Sequence, residues 1–523
     1  MPSLSTDTTH TLATRTIQVP VALLALVSTL LGLLFTRMAR RRFAMPPGPK
    51  PLPIIGNYFD MPTHEQWKTY KQWSEHYDSD LVHVNVLGTD VIIVNTVTAA
   101  DELFRRRSAL YSSRPKMPMI RDLIGLKWHL AFMPHQETWR ANRKIVGQEQ
   151  SPQHTINTRP QQLKWTRTYL QNLMNSPDNF FEHIQHLASA VVLEDVYGLQ
   201  VKPSGTPDPF IRAATGAVEA MGAAGIYGTY LVDYLPILKY VPSWFPGAEF
   251  QSAAKKWRES TDVAASVPFK LVKEAMAEGD AALSITSKLL AKLSAGDVAG
   301  ETLIRHTGAT MFSQGSAASV SALRTFFLIM VLHPEIQAKA QAEIDSIVRG
   351  RLPTFADMDA LPYVSALIKE VLRWAPIVPL AFPRQLEADD MYDGYFLPAG
   401  SVIVPNTWAI LQDPTTYRNP TVFDPTRFLT REGTLDPSKN VDPAFGYGRR
   451  VCPGRSAAMS MMYISIATTL AAFNVTKAVD EDGFHIKPSC EYTAGLLRYA
   501  KPFKCEIELR SAEAEMMIHA MND

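Results

Sequence analysis

The spacing of apolar and polar positions divides the chain into a short strand-like region and a long helical one. Between Leu81 and Asn95 valines and isoleucines dominate, broken by Gly88-Thr89-Asp90, and this predicts a β-hairpin. Beyond it the period is helical, predicting helices over Gln162 to Asn175, Asn179 to Tyr197, Ser252 to Glu278, Ala299 to Leu332, Pro334 to Val348 and Tyr363 to Trp374. Short strands are expected near Val402 and again towards the C-terminus. The pattern predicts a mainly α body with small β-sheets. Ahead of it, Ile17 to Phe35 is uncharged and apolar, and as a helix it nearly spans a hydrocarbon core of about 30 Å. Arg37, Arg40, Arg41 and Arg42 follow at once, while only Asp7 and Arg15 precede it. The positive-inside rule then predicts one N-terminal transmembrane helix with the body on the cytosolic side. A cleaved signal peptide would carry its basic residues before a shorter apolar run. Pro46 to Pro53 (PPGPKPLP) reads as a stiff extended hinge between anchor and body.

Composition narrows the class. The chain has 523 residues, a formal net charge of +1 and 20% charged residues, with no basic stripe interleaved with aromatics, so nucleic acid is an unexpected partner. Three cysteines cannot form a disulfide framework, which fits a reducing compartment. The 37 prolines suit helices joined by ordered irregular connections. No internal linker, repeat or low-complexity tract divides the body.

One cysteine stands in a loop with chemistry of its own. Cys452 lies in Phe445-Gly446-Tyr447-Gly448-Arg449-Arg450-Val451-Cys452-Pro453-Gly454-Arg455. Glycines there permit a tight backbone that aims amide N–H groups at a sulfur, Phe445 can shield it from water, and Arg450 brings positive charge nearby. A helix beginning near Ser456 would point the positive end of its dipole at the same atom. The loop reads as a haem-thiolate site with Cys452 as the metal ligand. Cys490 and Cys505 lack such a frame.

The spacing Phe-x-x-Gly-x-Arg-x-Cys-x-Gly, met at Phe445, Gly448, Arg450, Cys452 and Gly454, resembles the haem-binding signature of the cytochrome P450 family. Glu370 and Arg373 share one helix face and resemble the family's Glu-x-x-Arg element. Phe423 to Phe428 (FDPTRF) resembles the segment whose arginine, here Arg427, completes that network; Thr426 stands where glutamate is common. The resemblance gives Glu370, Arg373 and Arg427 structural roles. It makes Trp139, Arg143 and Arg384 donors to the haem propionates, with Arg384 standing where many members carry histidine. It implies haem b with an axial thiolate, a P450 fold over residues 45–510 between an anchor segment at 1–44 and a tail at 511–523, and an endoplasmic reticulum address. Fungal members of secondary metabolism are the nearest in texture.

The departure lies in the long helix before His333-Pro334-Glu335. Members usually carry an Ala/Gly-Gly-x-Asp/Glu-Thr run there, but this chain reads Gln314-Gly315-Ser316-Ala317-Ala318-Ser319. With Gly315 on the family glycine, Ala317 replaces the acid and Ala318 the alcohol that help protons reach dioxygen. Gln314 and Ser319 lie close enough on the helix to hold a water in their stead, so Gln314, Gly315 and Ser319 are the candidate catalytic positions. Gln314 and Ser319 can equally be helix polar groups bonded locally. Three functions stay open: a monooxygenase acting on a lipophilic small molecule, a haem-thiolate enzyme of rearrangement or dehydration, and a weakened haem-binding membrane protein. No Gly-x-Gly-x-x-Gly loop follows a strand, so the electrons of the first must come from a partner. The resemblance implies NADPH–cytochrome P450 reductase, docking near Arg140, Lys144, Arg449 and Arg455. Substrate is expected to meet the segment after Arg114-Pro115 and the stretches His306 to Ser316, Ile377 to Phe382 and Thr493 to Leu497. Ile226 to Phe245, aromatic and apolar, reads as a lid at the membrane interface or as core packing.

Overall fold

The computed structural model describes residues 44–520. The expected anchor over Ile17 to Phe35 and its basic run lie outside them. The proline-rich stretch is packed onto the sheet: the N–H of His83 donates to the carbonyl of Pro47 at 2.9 Å, and a Cβ at Gly48 would meet the His83 carbonyl oxygen at 1.9 Å. Proline's missing N–H suits such an edge position.

The longer helices are α1 (Gln66–Tyr77), α2 (Glu137–Glu149), α3 (Pro152–Asn175), α4 (Phe180–Tyr197), α5 (Pro209–Ala224), α6 (Glu249–Glu278), α7 (Val298–Leu332), α8 (Pro334–Ile347), α9 (Pro362–Trp374), α10 (Arg455–Ala472) and α11 (Ala512–His519). The strands are β1 (Leu81–Val86), β2 (Thr89–Val94), β3 (Arg384–Gln385), β4 (Asp390–Tyr392), β5 (Tyr395–Leu397), β6 (Val402–Pro405), β7 (Phe473–Lys477) and β8 (Cys505–Leu509). The expected hairpin is β1–β2, and it extends through β6 to β3 as a four-stranded sheet. β4–β5 and β7–β8 form two-stranded sheets.

Most of the expected helices appear within a few residues of their predicted ends. α3 starts ten positions early because Ser151 caps it and Pro152 occupies its first turn, while its polar first half and internal Pro160 hide the period. Pro268 likewise sits inside α6. The residues expected as a C-terminal tail include α11, whose Ile518 is fully buried.

α7 is the axis of the body. It is the one described helix long and apolar enough to cross a bilayer, but it is mostly buried, because a helix apolar on all sides must be covered on all sides. It packs antiparallel to α4: a Cβ at Gly308 would meet Tyr197, and one at Gly315 would meet Val192 at 3.1 Å. α10 packs on the same core, contributing Met461, Met462, Ile464 and Leu470. The loop bearing Cys452 leads directly into α10, so the two central helices bracket the site.

Candidate active site

The cysteine loop is held by backbone geometry. The N–H of Cys452 donates to the Phe445 carbonyl at 2.7 Å, closing the loop ahead of α10. Gly448 has φ +53°, and a Cβ on it would lie 1.9 Å from the Phe104 carbonyl oxygen, so only glycine fits there. Gly454 caps α10 and directs its backbone N–H at the Cys452 sulfur.

Cys452 is exposed to a cavity of about 280 Å³ while remaining deep inside the protein. Burial pushes its thiol pKa up, against the Gly454 N–H and the charges of Arg143 and Arg455, which pull it down. Cys452 would hold a haem iron as its thiolate, and taking up the metal would release the thiol proton. Arg450 plays a different part from the one its spacing suggested. Its guanidinium donates to the carbonyls of Ser112 (2.8 Å), Leu130 (3.2 Å) and Met133 (2.7 Å) and lies 4.2 Å from the Trp139 ring centroid. The cations acting on the sulfur are Arg143 and Arg455.

Four guanidinium groups line one side of the cavity: Arg114, Arg143, Arg384 and Arg450. Arg114 donates to the carbonyls of Ala131, Phe382 and Pro383, and Arg384 to those of Tyr111 and Tyr447. Arg143 has no hydrogen bond or ion pair with any described residue. Burial disfavours all four charges, and repulsion from Arg384 adds to it at Arg114 and Arg450. Among the described residues no carboxylate bonds to them: Glu387 acts on Arg450 only at a distance, and Asp195, the acid lining the cavity, is bonded to His154 at 2.9 Å. Trp139, one turn from Arg143, has a buried indole N–H without a partner among the described residues. A buried donor left unpaired costs about 1–3 kcal/mol. An orphaned indole N–H, an unbonded guanidinium and uncompensated buried cations call for an anionic acceptor. The propionates of a haem seated on Cys452 meet that requirement, so the residues present fit the group. Arg114 was not among the predicted contacts; its one sequence signal is an arginine fixed ahead of a proline, Pro115.

The Glu-x-x-Arg network lies apart from the cavity and is complete. Glu370 and Arg373 are fully buried. Arg373 donates to Glu370 Oε2 at 2.6 Å and Oε1 at 2.8 Å, and Arg427 adds a third bond to Oε1 at 3.1 Å. Asp424 donates its backbone N–H to the same oxygen at 2.8 Å. Thr426 bonds back to Asp424, so the missing glutamate leaves the network intact.

On α7, Gln314, Gly315, Ala317, Ala318 and Ser319 all line the cavity. The Ser319 hydroxyl donates to the Gly315 carbonyl at 3.3 Å, a local bond. Gln314 is half-buried and its amide has no partner among the described residues. His306 is not part of the lining as expected. It stacks on Trp128 with ring centroids 5.4 Å apart, and burial lowers its pKa to about 4. The rest of its stretch does contribute, through Thr310, Met311, Gln314 and Gly315, and so do the other three: Leu130 and Ala131; Ile377, Val378, Ala381 and Phe382; and Leu496 and Leu497. Apart from backbone, the lining from those other three stretches is apolar.

The cytochrome P450 family profile matches residues 46–506. Cytochrome P450 monooxygenase 98 of Postia placenta is 39% identical over 93% of this chain and 94% of its own length. Cytochrome P450 monooxygenase ple1 of Rhodocybe pseudopiperita is 38% identical over 92% of each chain. Tryptamine 4-monooxygenase of Psilocybe cyanescens is 38% identical over 94% of this chain and 98% of its own. With the thiol, the cationic wall and the cavity between α7 and α10 in place, the chain belongs to the cytochrome P450 family, haem-thiolate oxidoreductases whose iron takes a cysteine thiolate as axial ligand.

Proposed function

We propose that this protein is a monooxygenase that inserts one oxygen atom from dioxygen into a lipophilic small molecule in fungal secondary metabolism, with electrons from NADPH delivered by cytochrome P450 reductase. The observation that carries the reading is one cavity with an apolar wall (Leu130, Ile377, Val378, Phe382, Leu496, Leu497) facing the sulfur of Cys452. Cys452 would hold the haem iron, and Trp139, Arg143 and Arg384 would hold its propionates, with Arg114 and Arg450 adding charge behind them. The haem supplies dioxygen activation when bound. The chain's part is to keep water from the apolar wall, place the substrate against it, and let protons in. The relative named for a tryptamine substrate adds weight to an aromatic or alkaloid scaffold, and the apolar wall admits terpenoid or polyketide scaffolds too.

The body would sit at the endoplasmic reticulum membrane on the cytosolic side of a single anchor. Supporting this, Ile237 (69% exposed), Tyr240 (72%) and Trp244 (79%) are presented by the expected lid, and Ile54 (88%) and Phe59 (76%) by the stretch after the prolines. Tyr58 and Met61 pack with Tyr227 and Tyr234, so the two apolar segments adjoin. Such a patch suits an interface with lipid. The exposed Arg140, Lys144 and Arg449 remain for a reductase; Arg455 is already engaged by Asp442 at 2.6 Å. Charge reversal at the first three that leaves reduction rates unchanged would remove the patch from this role.

Ala317 and Ala318 favour a second reading, rearrangement or dehydration of an oxygenated substrate without dioxygen. Labelled dioxygen separates the two. Membranes carrying this protein and its reductase, fed NADPH and candidate scaffolds, are expected to yield a product bearing one labelled oxygen. An unlabelled product, or one formed without NADPH, would establish the second reading.

A further inference from the structure

The altered run on α7 removes the acid and the alcohol, yet the cavity it faces contains a different acid–base pair. His154, in the first turn of α3, and Asp195, near the end of α4, both line it and share a hydrogen bond of 2.9 Å. Their side chains are 14% and 17% exposed. Two contacts place this pair one helical turn from the altered run. Val192, three residues before Asp195, abuts Gly315, and Gln150, four residues before His154, has its amide 3.7 Å from the sulfur of Met311, one turn before Gly315. At helical spacing from His154 along α3, Thr158 and Gln162 also line the cavity. Gln162 is 2% exposed and accepts from Ser460 of α10 at 2.8 Å. Ser319 lies on the same face of α7 as Met311 and Gly315 and also lines the cavity.

We propose that the His154–Asp195 pair is the proton entry of this enzyme, standing in for the acid–alcohol pair that Ala317 and Ala318 lack. Protonated His154 gives its ring proton to the hydrogen-bonding groups of the cavity and takes another from solvent, so the pair returns to its starting state with each proton passed. Asp195 stays ionised throughout and stabilises the imidazolium. The groups facing His154 agree with this role: Asp195 of α4 and Glu149 of α2 favour its charged form, against burial and Lys288, and the net effect raises its pKa. Raised above its ordinary value of about 6.5, His154 keeps its proton to higher pH than a free imidazole, and it stays able to give it up.

The inference deepens the monooxygenase reading, and its test does not depend on that reading or on knowing the substrate. Hydrogen cyanide enters a haem pocket neutral and must surrender its proton to a base inside before cyanide binds the ferric iron. The association rate of potassium cyanide with the full-length haem-loaded protein, followed spectroscopically from pH 5.5 to 8.5, should therefore show an inflection at the pKa of His154. His154→Gln should slow association by at least about tenfold above that pH and abolish the inflection. Asp195→Asn should move the inflection to lower pH, and Asp195→Glu should restore it. The thiolate spectrum and melting temperature of each variant report folding, and if His154→Gln does not load haem the two Asp195 variants carry the test. Rates and pH profiles within about twofold of wild type in correctly loaded variants would overturn the proposal. They would leave the oxygenation reading standing.

Discussion

Two clusters of guanidinium groups are buried in this protein, and they are built in opposite ways. Around Glu370, two arginines converge on one carboxylate that also accepts a backbone N–H, and the group is closed. Around the cavity, Arg114, Arg143, Arg384 and Arg450 have carbonyls, an aromatic face or nothing, and among the described residues no carboxylate is bonded to them. Charge buried with its partner in the same chain is architecture. Charge buried without one is a site waiting for an anion, because leaving it uncompensated costs several kcal/mol that only a ligand can offset.

The comparison predicts opposite outcomes for similar substitutions. The largest effect belongs to the closed cluster: Glu370→Gln leaves Arg373 and Arg427 without their charge partner and should destabilise the protein by about 3–5 kcal/mol, with or without haem. Equilibrium unfolding of both forms checks it, and a loss confined to the haem-loaded form would erase the distinction between the clusters. Arg143→Met should behave the other way. Haem should pass to an acceptor protein faster, in line with about 1.5–3 kcal/mol for a hydrogen bond to a charged group, while the apoprotein keeps or gains stability on losing an uncompensated cation. Trp139→Phe removes one neutral donor and should cost about 1 kcal/mol of haem affinity in the same transfer assay.

The smallest effect concerns the cavity's own acid. Asp195 raises the pKa of His154, so the pair's contribution is present in full below the ordinary histidine pKa of about 6.5 and fades as pH rises through the higher folded value. The melting temperature of Asp195→Asn should fall furthest below wild type below about pH 6.5 and converge with it as pH rises through the folded-state pKa of His154. A gap that widens with pH would contradict the pairing.

What the sequence disclosed divides along the same line. The closed cluster could be read through resemblance: Glu370 and Arg373 lie three apart on one helix, a weak signal alone, and Arg427 sits in a segment that resembles the family's. So could the cysteine loop, where Gly448 answers a backbone contact and each position has one physical task. The open cluster was half legible. Arg143 and Arg384 were found through resemblance, but Arg114 comes from a segment without regular period. Arg450, five positions from Phe445, turned towards Trp139 and three carbonyls rather than to the sulfur two residues on, a choice decided by tertiary contacts. His306 is expected at the cavity because it lies on α7, and it does share a helix face with Thr310 and Gln314, but it stands one turn ahead of Thr310, where Trp128 stacks on it. His154 and Asp195 are 41 positions apart, and nothing local to either announces the other.

The central claim is that Cys452 and the open cationic cluster together make a haem-thiolate site. The most direct test is the carbon monoxide difference spectrum of the reduced full-length protein and of Cys452→Ser. The account predicts the long-wavelength Soret band of a thiolate-ligated haem in wild type and its loss in the variant. Wild-type protein that takes up no haem, or a band unchanged by the substitution, would contradict it.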